Sequence, residues 1–290
     1  MSEPLLSVVI PARNAAATLE QQLRALSTQA HEGQVEVIVA DNGSTDATRS
    51  LAESFRDRLD LRVVDAGDRP GAAHARNVGA AAARGRFLAF VDADDVVAPD
   101  WLRAVVAGLE RHPFIACRYD TESLNPPAVA ESLGHAQRDG LMTYDYPPYL
   151  PHAGGGGLAI RREHHEAIGG FDESYPALED TDYCWRLQRS GVPLFFQGDA
   201  VVRIRLKAGA AALFRQGVHF GRHNVRIYRR YRDRGMPYLG PLPGLLRWIK
   251  LFLRLPLAVW RPGERARWLW QLGWRCGRVR GCLAEGVLAL

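Results

Sequence analysis

The run Leu6-Ser-Val-Val-Ile-Pro11 is short, apolar and stopped by proline, and Leu19, Leu23 and Leu26 follow at spacings of four and three. A strand and then an amphipathic helix are predicted. The alternation recurs. Residues 35–40 read as a strand, Ser44 or Thr45 as the cap of a helix reaching about residue 55, residues 61–64 as a strand and 72–83 as a helix. Residues 87–91 read as a further buried strand that ends at Asp92.

Short all-apolar strands alternating with helices imply parallel strands buried on both faces and joined by right-handed crossovers. Ligands of such sheets bind beyond the carboxyl ends of the strands. The polar clusters fall there: Ala12-Arg13-Asn14 after the first strand, Asp41-Asn42-Gly43 after the second, Asp92-Ala93-Asp94-Asp95 after the fourth. One edge therefore collects the candidate site.

Residues 121–153 are rich in Pro, Tyr and polar side chains without a clear period, and are expected to form a long excursion over that site. Gly154-Gly-Gly-Gly157 leads into 158–160, a strand returning to the sheet, and 176–189 read as a loop entering a helix. Beyond Leu206, Phe214, Val218, Gly221, Val225 and Tyr228 recur as a helix seam would. After a Pro/Gly-rich break at 237–244, Arg247, Lys250 and Arg254 share a narrow helical face, with Leu246, Trp248, Ile249, Phe252 and Leu253 on the remainder. A last helix puts Glu264, Arg267, Gln271, Arg275 and Arg278 together, beside Trp268, Leu272 and Val279.

Charge sharpens this division. The 290 residues sum to +5, yet residues 203–290 hold 19 Lys+Arg against 3 Asp+Glu, and residues 1–202 hold 18 against 29. An acidic body argues against nucleic acid as a partner, whereas the basic tail must meet something anionic, such as lipid headgroups, a diphosphate or a polyanionic acceptor. A solvated basic face is the plain alternative. With 47% apolar and 24% charged residues the composition is that of an ordinary globular protein. The four cysteines, 117, 184, 276 and 282, show no ligand spacing, and no signal-peptide pattern or run of 18 uncharged apolar residues is seen. The expectation is a cytoplasmic protein, peripheral at most on the cytoplasmic membrane face.

The sharpest chemistry is at Asp92, Asp94 and Asp95, whose like charges repel unless a cation or protons compensate them. Mg2+ and Mn2+ take oxygen ligands and bridge carboxylates to phosphates. Acidic capping of a helix starting near Pro99 is the structural alternative. Residues 41–46 offer donors and acceptors for a base edge before a helix N-terminus, or no more than a well-capped turn. The helix opening at Gly71 through Asn77 is small-residue rich, which admits a nucleotide or simply close packing. Glu179, Asp180 and Asp182 place three carboxylates at a helix start; one of them is a candidate general base, and pairing with Arg186 is the alternative.

In these residues the chain resembles glycosyltransferase family 2, the inverting enzymes with the GT-A fold, over residues 6–206. The matching strings are Ser7-Val-Val-Ile-Pro-Ala-Arg-Asn14, Val37-Ile-Val-Ala-Asp-Asn-Gly-Ser-Thr-Asp46, Ala75-Arg-Asn-Val-Gly79, Phe90-Val-Asp-Ala-Asp-Asp95, Gly169-Gly-Phe-Asp-Glu173 and Glu179-Asp180 before Trp185-Arg186. The resemblance implies an α/β, mostly parallel sheet flanked by helices in residues 1–206, with 1–98 binding the nucleotide sugar and 99–206 the acceptor. A basic helical appendage follows in 207–290.

Pro11, Ala12, Arg13 and Asn14 would line the nucleotide pocket with Gly71 and Asn77, and Asp41 and Asn42 would lie near the base, favouring a UDP-sugar donor. Asp94 matches the metal carboxylate, with Asp92 and Ala93 beside it contacting ribose or, for Asp92, metal; the cofactor implied is Mn2+ or Mg2+. Asp180, next to Glu179, matches the base of a single inverting displacement. Two positions depart from the family pattern. Leu158 stands where many relatives carry Asn, and Arg203 or Arg205 stands where some place a metal-binding His, so one or other of these arginines is expected to grip the diphosphate. The acceptor is a saccharide, a lipid-linked molecule or a small molecule. Residues 237–290 would meet a membrane surface, the catalytic domain or a second subunit of a homo-oligomer. A nucleotidyltransferase would need a Gly-rich triphosphate loop after the first strand, which Ala12-Arg-Asn-Ala-Ala lacks; a catalytically silent binding subunit is the rival from another class.

Overall fold

A computed structural model describes residues 5–30, 34–133, 136–145, 148–207 and 209–289. The chain divides into two compact units. One comprises Met1–Ser123, Gln137–Met142 and Pro151–Arg205, the other Leu124–Ala136, Thr143–Leu150 and Leu206–Leu290. The 121–153 excursion is thus shared between them, and its positions 134, 135, 146 and 147 lie outside the described residues.

The first unit opens as the pattern predicts. Strand β1 (Leu6–Ala12), helix α1 (Leu19–Ser27), β2 (Val35–Asp41), α2 (Thr48–Glu53), β3 (Asp60–Asp65), α3 (Ala72–Ala82) and β4 (Phe87–Phe90) alternate in order. There follow β5 (Val96–Val97), α4 (Trp101–Arg111), β6 (Phe114–Asp120), α5 (Pro127–Leu133, in the second unit), β7 (Leu158–Arg161), α6 (Arg162–Ala167), α7 (Glu179–Arg189) and β8 (Leu194–Arg203). The eight strands form one sheet in the order β3-β2-β1-β4-β7-β6-β8-β5. β1 pairs in parallel with β2 and β4, β2 with β3, and β6 with β8, while β7 runs antiparallel between β4 and β6. The sheet is mixed, and the reversal at β7 carries the glycine run to the carboxyl edge of β4.

Burial explains the strands. Val8, Ile10, Val37, Val39, Phe87 and Ala89 sit in the core on one face with Leu19, Leu23 and Trp101, and Ala40, Ala66 and Ala75 cluster on the other. Polar residues inside the strands are satisfied at the opposite edge from the clusters. The Ser7 hydroxyl donates to Glu36 at 2.6 Å, and Glu36 also meets Arg62 and Arg84.

Two helix starts differ from expectation. α2 begins at Thr48, whose N–H and hydroxyl both reach the Asp46 carboxylate. Ser44 and Thr45 bond back to Asn14 instead: the Ser44 hydroxyl accepts its N–H and its side-chain oxygen accepts the Thr45 N–H. α4 begins at Trp101 behind Asp100, which stands at φ 63°. The Asp92–Asp95 carboxylates do not cap that helix, because they are engaged elsewhere.

In the second unit, α8 (Ala210–Tyr231) and α11 (Pro262–Glu285) flank α9 (Pro241–Leu253) and α10 (Leu255–Trp260). α8 and α11 meet backbone to backbone. A β-carbon on Gly217 or Gly221 would collide with the Trp270 or Trp274 carbonyl, and one on Gly273 or Gly277 with that of Phe214 or Val218. Small residues spaced by four on both helices permit this approach, as in helices packed within lipid. Of the predicted seam, Gly221, Val225 and Tyr228 are buried and Phe214 and Val218 half-buried; Leu213, Gly217, Asn224, Ile227 and Tyr231 complete the buried face.

Candidate active site

At the carboxyl edge of β1, β2 and β4 lies a cleft of about 560 Å3. Pro11, Ala12, Arg13 and Asn14 from the end of β1, Asn42 after β2, Gly71, Ala72 and Ala75 at the start of α3, Asp92, Ala93 and Asp94 after β4, and Arg205 after β8 line it. Ten of the expected site residues thus come to one place because parallel strands deliver their following loops to the same edge. Asn14 turns there at φ 50°, locked by its three bonds to the Ser44–Thr45 loop.

Oxygen atoms of Asp92, Asp94 and Asp95 lie within 4.8 Å of one another, with Asp94 exposed, Asp92 half-buried and Asp95 buried. Burial and the neighbouring Asp92 charge push the Asp95 pKa up to about 8. Asp95 accepts the Arg205 N–H at 2.9 Å, and the Arg205 guanidinium reaches the Asp94 carbonyl at 3.1 Å and Gln21 at 2.9 Å. A crowd of carboxylates whose innermost member resists ionisation fits a hard divalent cation, which accepts such oxygens and removes the repulsion.

Arg76 was not among the expected site residues, and it organises the centre. Only 4% exposed, it donates to Asp92 at 2.8 Å and to Glu179 at 2.8 Å. Burial works against its charge, and Asp92 and Glu179 more than reverse that, leaving its pKa above the ordinary arginine value. One guanidinium therefore joins the end of β4 to the start of α7. In the sequence it is a lone arginine within an alanine-rich helix start, with nothing local to show these partners.

The three carboxylates of α7 separate by partner. Asp182 is fully buried against Arg186 at 2.7 Å, a structural pair. Glu179 holds Arg76. Asp180 accepts the Gly155 N–H at 3.0 Å and the Thr181 N–H at 2.7 Å. Burial and the adjacent Glu179 raise its pKa to about 7. Leu178 immediately before them sits at φ 63°, a conformation that costs a branched residue of order 1–3 kcal/mol and is characteristic of functional turns.

The glycine run packs closely behind these side chains. A β-carbon on Gly155 would stand 2.7 Å from the Arg76 guanidinium carbon, one on Gly156 2.7 Å from Asp92, and one on Gly157 2.7 Å from the Tyr119 ring. Four consecutive glycines were the legible sign of this close approach, read in the sequence only as the lead into a strand.

Five expected residues do not line the cleft: Asp180 and Glu179, which reach it only through Arg76, and Asn77, Asp41 and Arg203. The Asn77 amide is spent on the Phe171 backbone, donating to its carbonyl and accepting its N–H, and on Glu173. Asp41 is buried and accepts the Ser44 N–H, shaping the turn. Arg203, the last residue of β8, points to Asp120 at 4.0 Å, whereas Arg205, beyond the strand's end, lines the cleft. Asn42, although it lines the cleft, uses its amide to hold the Arg69 carbonyl and the Gly71 N–H.

The profile of glycosyl transferase family 2 matches residues 7–169. The validoxylamine A glucosyltransferase of Streptomyces hygroscopicus subsp. jinggangensis is 31% identical over 225 residues, covering 66% of this chain and 53% of that protein. The chain spans about half the length of the curated relatives it matches. Among solved structures, the mannosyltransferase PcManGT of Pyrobaculum calidifontis, in complex with GDP-Man and Mn2+, superposes with TM-score 0.61 at 22% identity, over 99% of this chain and 77% of that one. The glucosyl-3-phosphoglycerate synthase of Mycobacterium tuberculosis, in complex with Mn2+, UDP and glucosyl-3-phosphoglycerate, gives TM-score 0.54 at 24% identity and 81% coverage of both. These two likenesses are of fold.

Proposed function

Because the chain belongs to glycosyl transferase family 2, we propose that it moves a sugar from a nucleotide-diphosphate sugar to an acceptor hydroxyl, inverting the anomeric centre. The observation that carries this reading is the Arg76 bridge. It holds Asp92 of the donor-side cluster and Glu179, the neighbour of Asp180, on one guanidinium. The family match ends at residue 169, so the role of Asp180 rests on the resemblance of the string Glu179-Asp180 before Trp185-Arg186 together with this geometry.

The cleft lined by Pro11 to Asn14 and Gly71 admits the nucleotide, small side chains and backbone letting it lie close. Arg205, at the cleft's rim, presents a guanidinium to the diphosphate. Asp94 and Asp92 would hold a divalent cation, Mn2+ or Mg2+, which when bound neutralises charge on the departing diphosphate. Asp180 takes the proton of the acceptor hydroxyl. Its two backbone N–H partners fix the carboxylate, and a pKa of about 7 places it where a base both ionises and accepts a proton at neutral pH. Arg76 positions this machinery from behind.

We favour a uridine donor, as in the complex of the Mycobacterium synthase; the GDP-Man complex of the archaeal neighbour makes guanosine the competing outcome. Thermal melting against a panel of UDP- and GDP-sugars with Mn2+ tests it. A matching donor raises the melting temperature because it binds only the folded state. Release of the nucleotide diphosphate follows and is lost in Asp94→Ala. A folded protein that no nucleotide sugar stabilises would end this reading.

A further inference from the structure

The second unit turns its hydrophobic helix face outward. Along α9, Leu242, Leu245, Leu246, Ile249, Phe252 and Leu253 are between 48 and 73% exposed. Their spacings of three and four put all six on one side of the helix. α10 continues the surface to Trp260, 83% exposed. The opposite side of α9 is the covered one: Gly244 and Leu251 are buried, and the Trp268 indole donates to the Leu251 carbonyl at 2.8 Å. Contiguous apolar surface of this kind marks an interaction site.

The flank between the two sides is cationic. Arg247, Lys250 and Arg254 from α9 and Arg275 from α11 line a cavity of about 530 Å3 that includes one carboxylate, Asp145. Among the described residues the Arg275 Nε is buried without a hydrogen-bond partner, and burial together with Arg247 lowers the Arg275 pKa to about 10. Desolvating a guanidinium beside another cation is unfavourable unless an anion enters.

We propose that α9 and α10 lie in the surface of an anionic phospholipid bilayer, the six-residue stripe among the acyl chains and a lipid phosphate in the Arg247–Lys250–Arg254–Arg275 cavity. Phosphate beside hydrocarbon is the one chemistry that matches both features at once. Among the described residues no helix is long and apolar enough to cross a membrane, so the contact is with one leaflet's surface. A second copy fits less well, because a twofold contact sets the patch against itself and brings Lys250 and Arg254 to their own like charges. The inference does not depend on the transferase reading.

Flotation of the full chain with vesicles tests it. Wild type is expected to float with phosphatidylcholine–phosphatidylglycerol vesicles, less at high salt, and to stay behind with phosphatidylcholine alone. The Lys250→Gln/Arg254→Gln/Arg275→Gln variant should partition on the order of a hundredfold more weakly, at roughly fivefold per cation. Leu246→Ser/Ile249→Ser/Leu253→Ser, changing side chains that are exposed, should keep its helical melting curve and lose flotation. Four outcomes overturn the proposal: wild type that ignores anionic vesicles, either variant floating undiminished, inorganic phosphate filling the cavity without flotation, or dimers in solution that the stripe variant dissolves.

Discussion

In the first unit the strands are apolar on both faces, and charged side chains collect where the sheet ends. In the second, two helices press glycine against backbone, while leucines face outward and arginines line a cavity. A charged residue therefore means different things in the two regions. Behind a sheet edge, Asp92, Arg76 and Asp180 are held by named partners in a fixed array. Around α9, Lys250 and Arg254 border an apolar surface open to a partner. Burial of the sheet on two sides forces polar chemistry to its edge, whereas a helix pair closed by glycine leaves its remaining helices free to present either kind of side chain.

The largest effect expected from breaking this contrast is at Asp180. Asp180→Asn should lower turnover by roughly 10²–10⁴-fold while leaving nucleotide binding intact. In the wild type, activity should fall about tenfold per pH unit below a pH of about 7, as the raised carboxyl protonates, and the variant's residual rate should lack that limb. The stability sign runs the other way. A carboxyl whose folded pKa is raised from 3.8 stabilises fully below that value, and the contribution is lost as pH rises through about 7. Asp180→Asn should accordingly melt higher than wild type at pH 8; a lower melting temperature would make Asp180 a structural residue.

Next is Arg76→Met, which strands Asp92 and Glu179 in a largely enclosed site. A loss of about 3–5 kcal/mol in denaturant unfolding is expected, since breaking a buried pair leaves charge uncompensated. A loss under about 1 kcal/mol would show that water already serves those carboxylates.

The smallest is Gly221→Ala in α8. The added methyl meets the Trp274 carbonyl and must push α11 away, at a cost of about 1–3 kcal/mol. Circular dichroism melts and limited proteolysis would locate the loss in the second unit, with donor binding by the first unchanged. A variant as stable as wild type would mean the helices separate freely, and the contrast between the two regions would weaken.

Much of the fold was legible. The short apolar runs at residues 6–10 and 35–40 and the helical spacings between them depend on local pattern, and they name the strands whose ends carry the cleft. The carboxylates after β4 were legible too, because three acids on one turn require compensation. Arg76 was not: an arginine inside an alanine-rich turn has no local mark of what it meets 16 and 103 residues away. Asn77 and Arg203 misled for the converse reason, since a residue's place in the chain does not give its direction.

The sequence by itself determined where strands and helices form, which loops follow the strands and where the basic tail begins, because these follow from periodicity and charge along the chain. Tertiary structure alone decided that β7 reverses to bring the glycine run against Arg76, Asp92 and Tyr119, that Asp182 belongs to Arg186 while Asp180 faces Gly155, and that α9 wears its leucines outside. Those outcomes depend on which surfaces meet across long stretches of chain, and no local pattern records a distant partner.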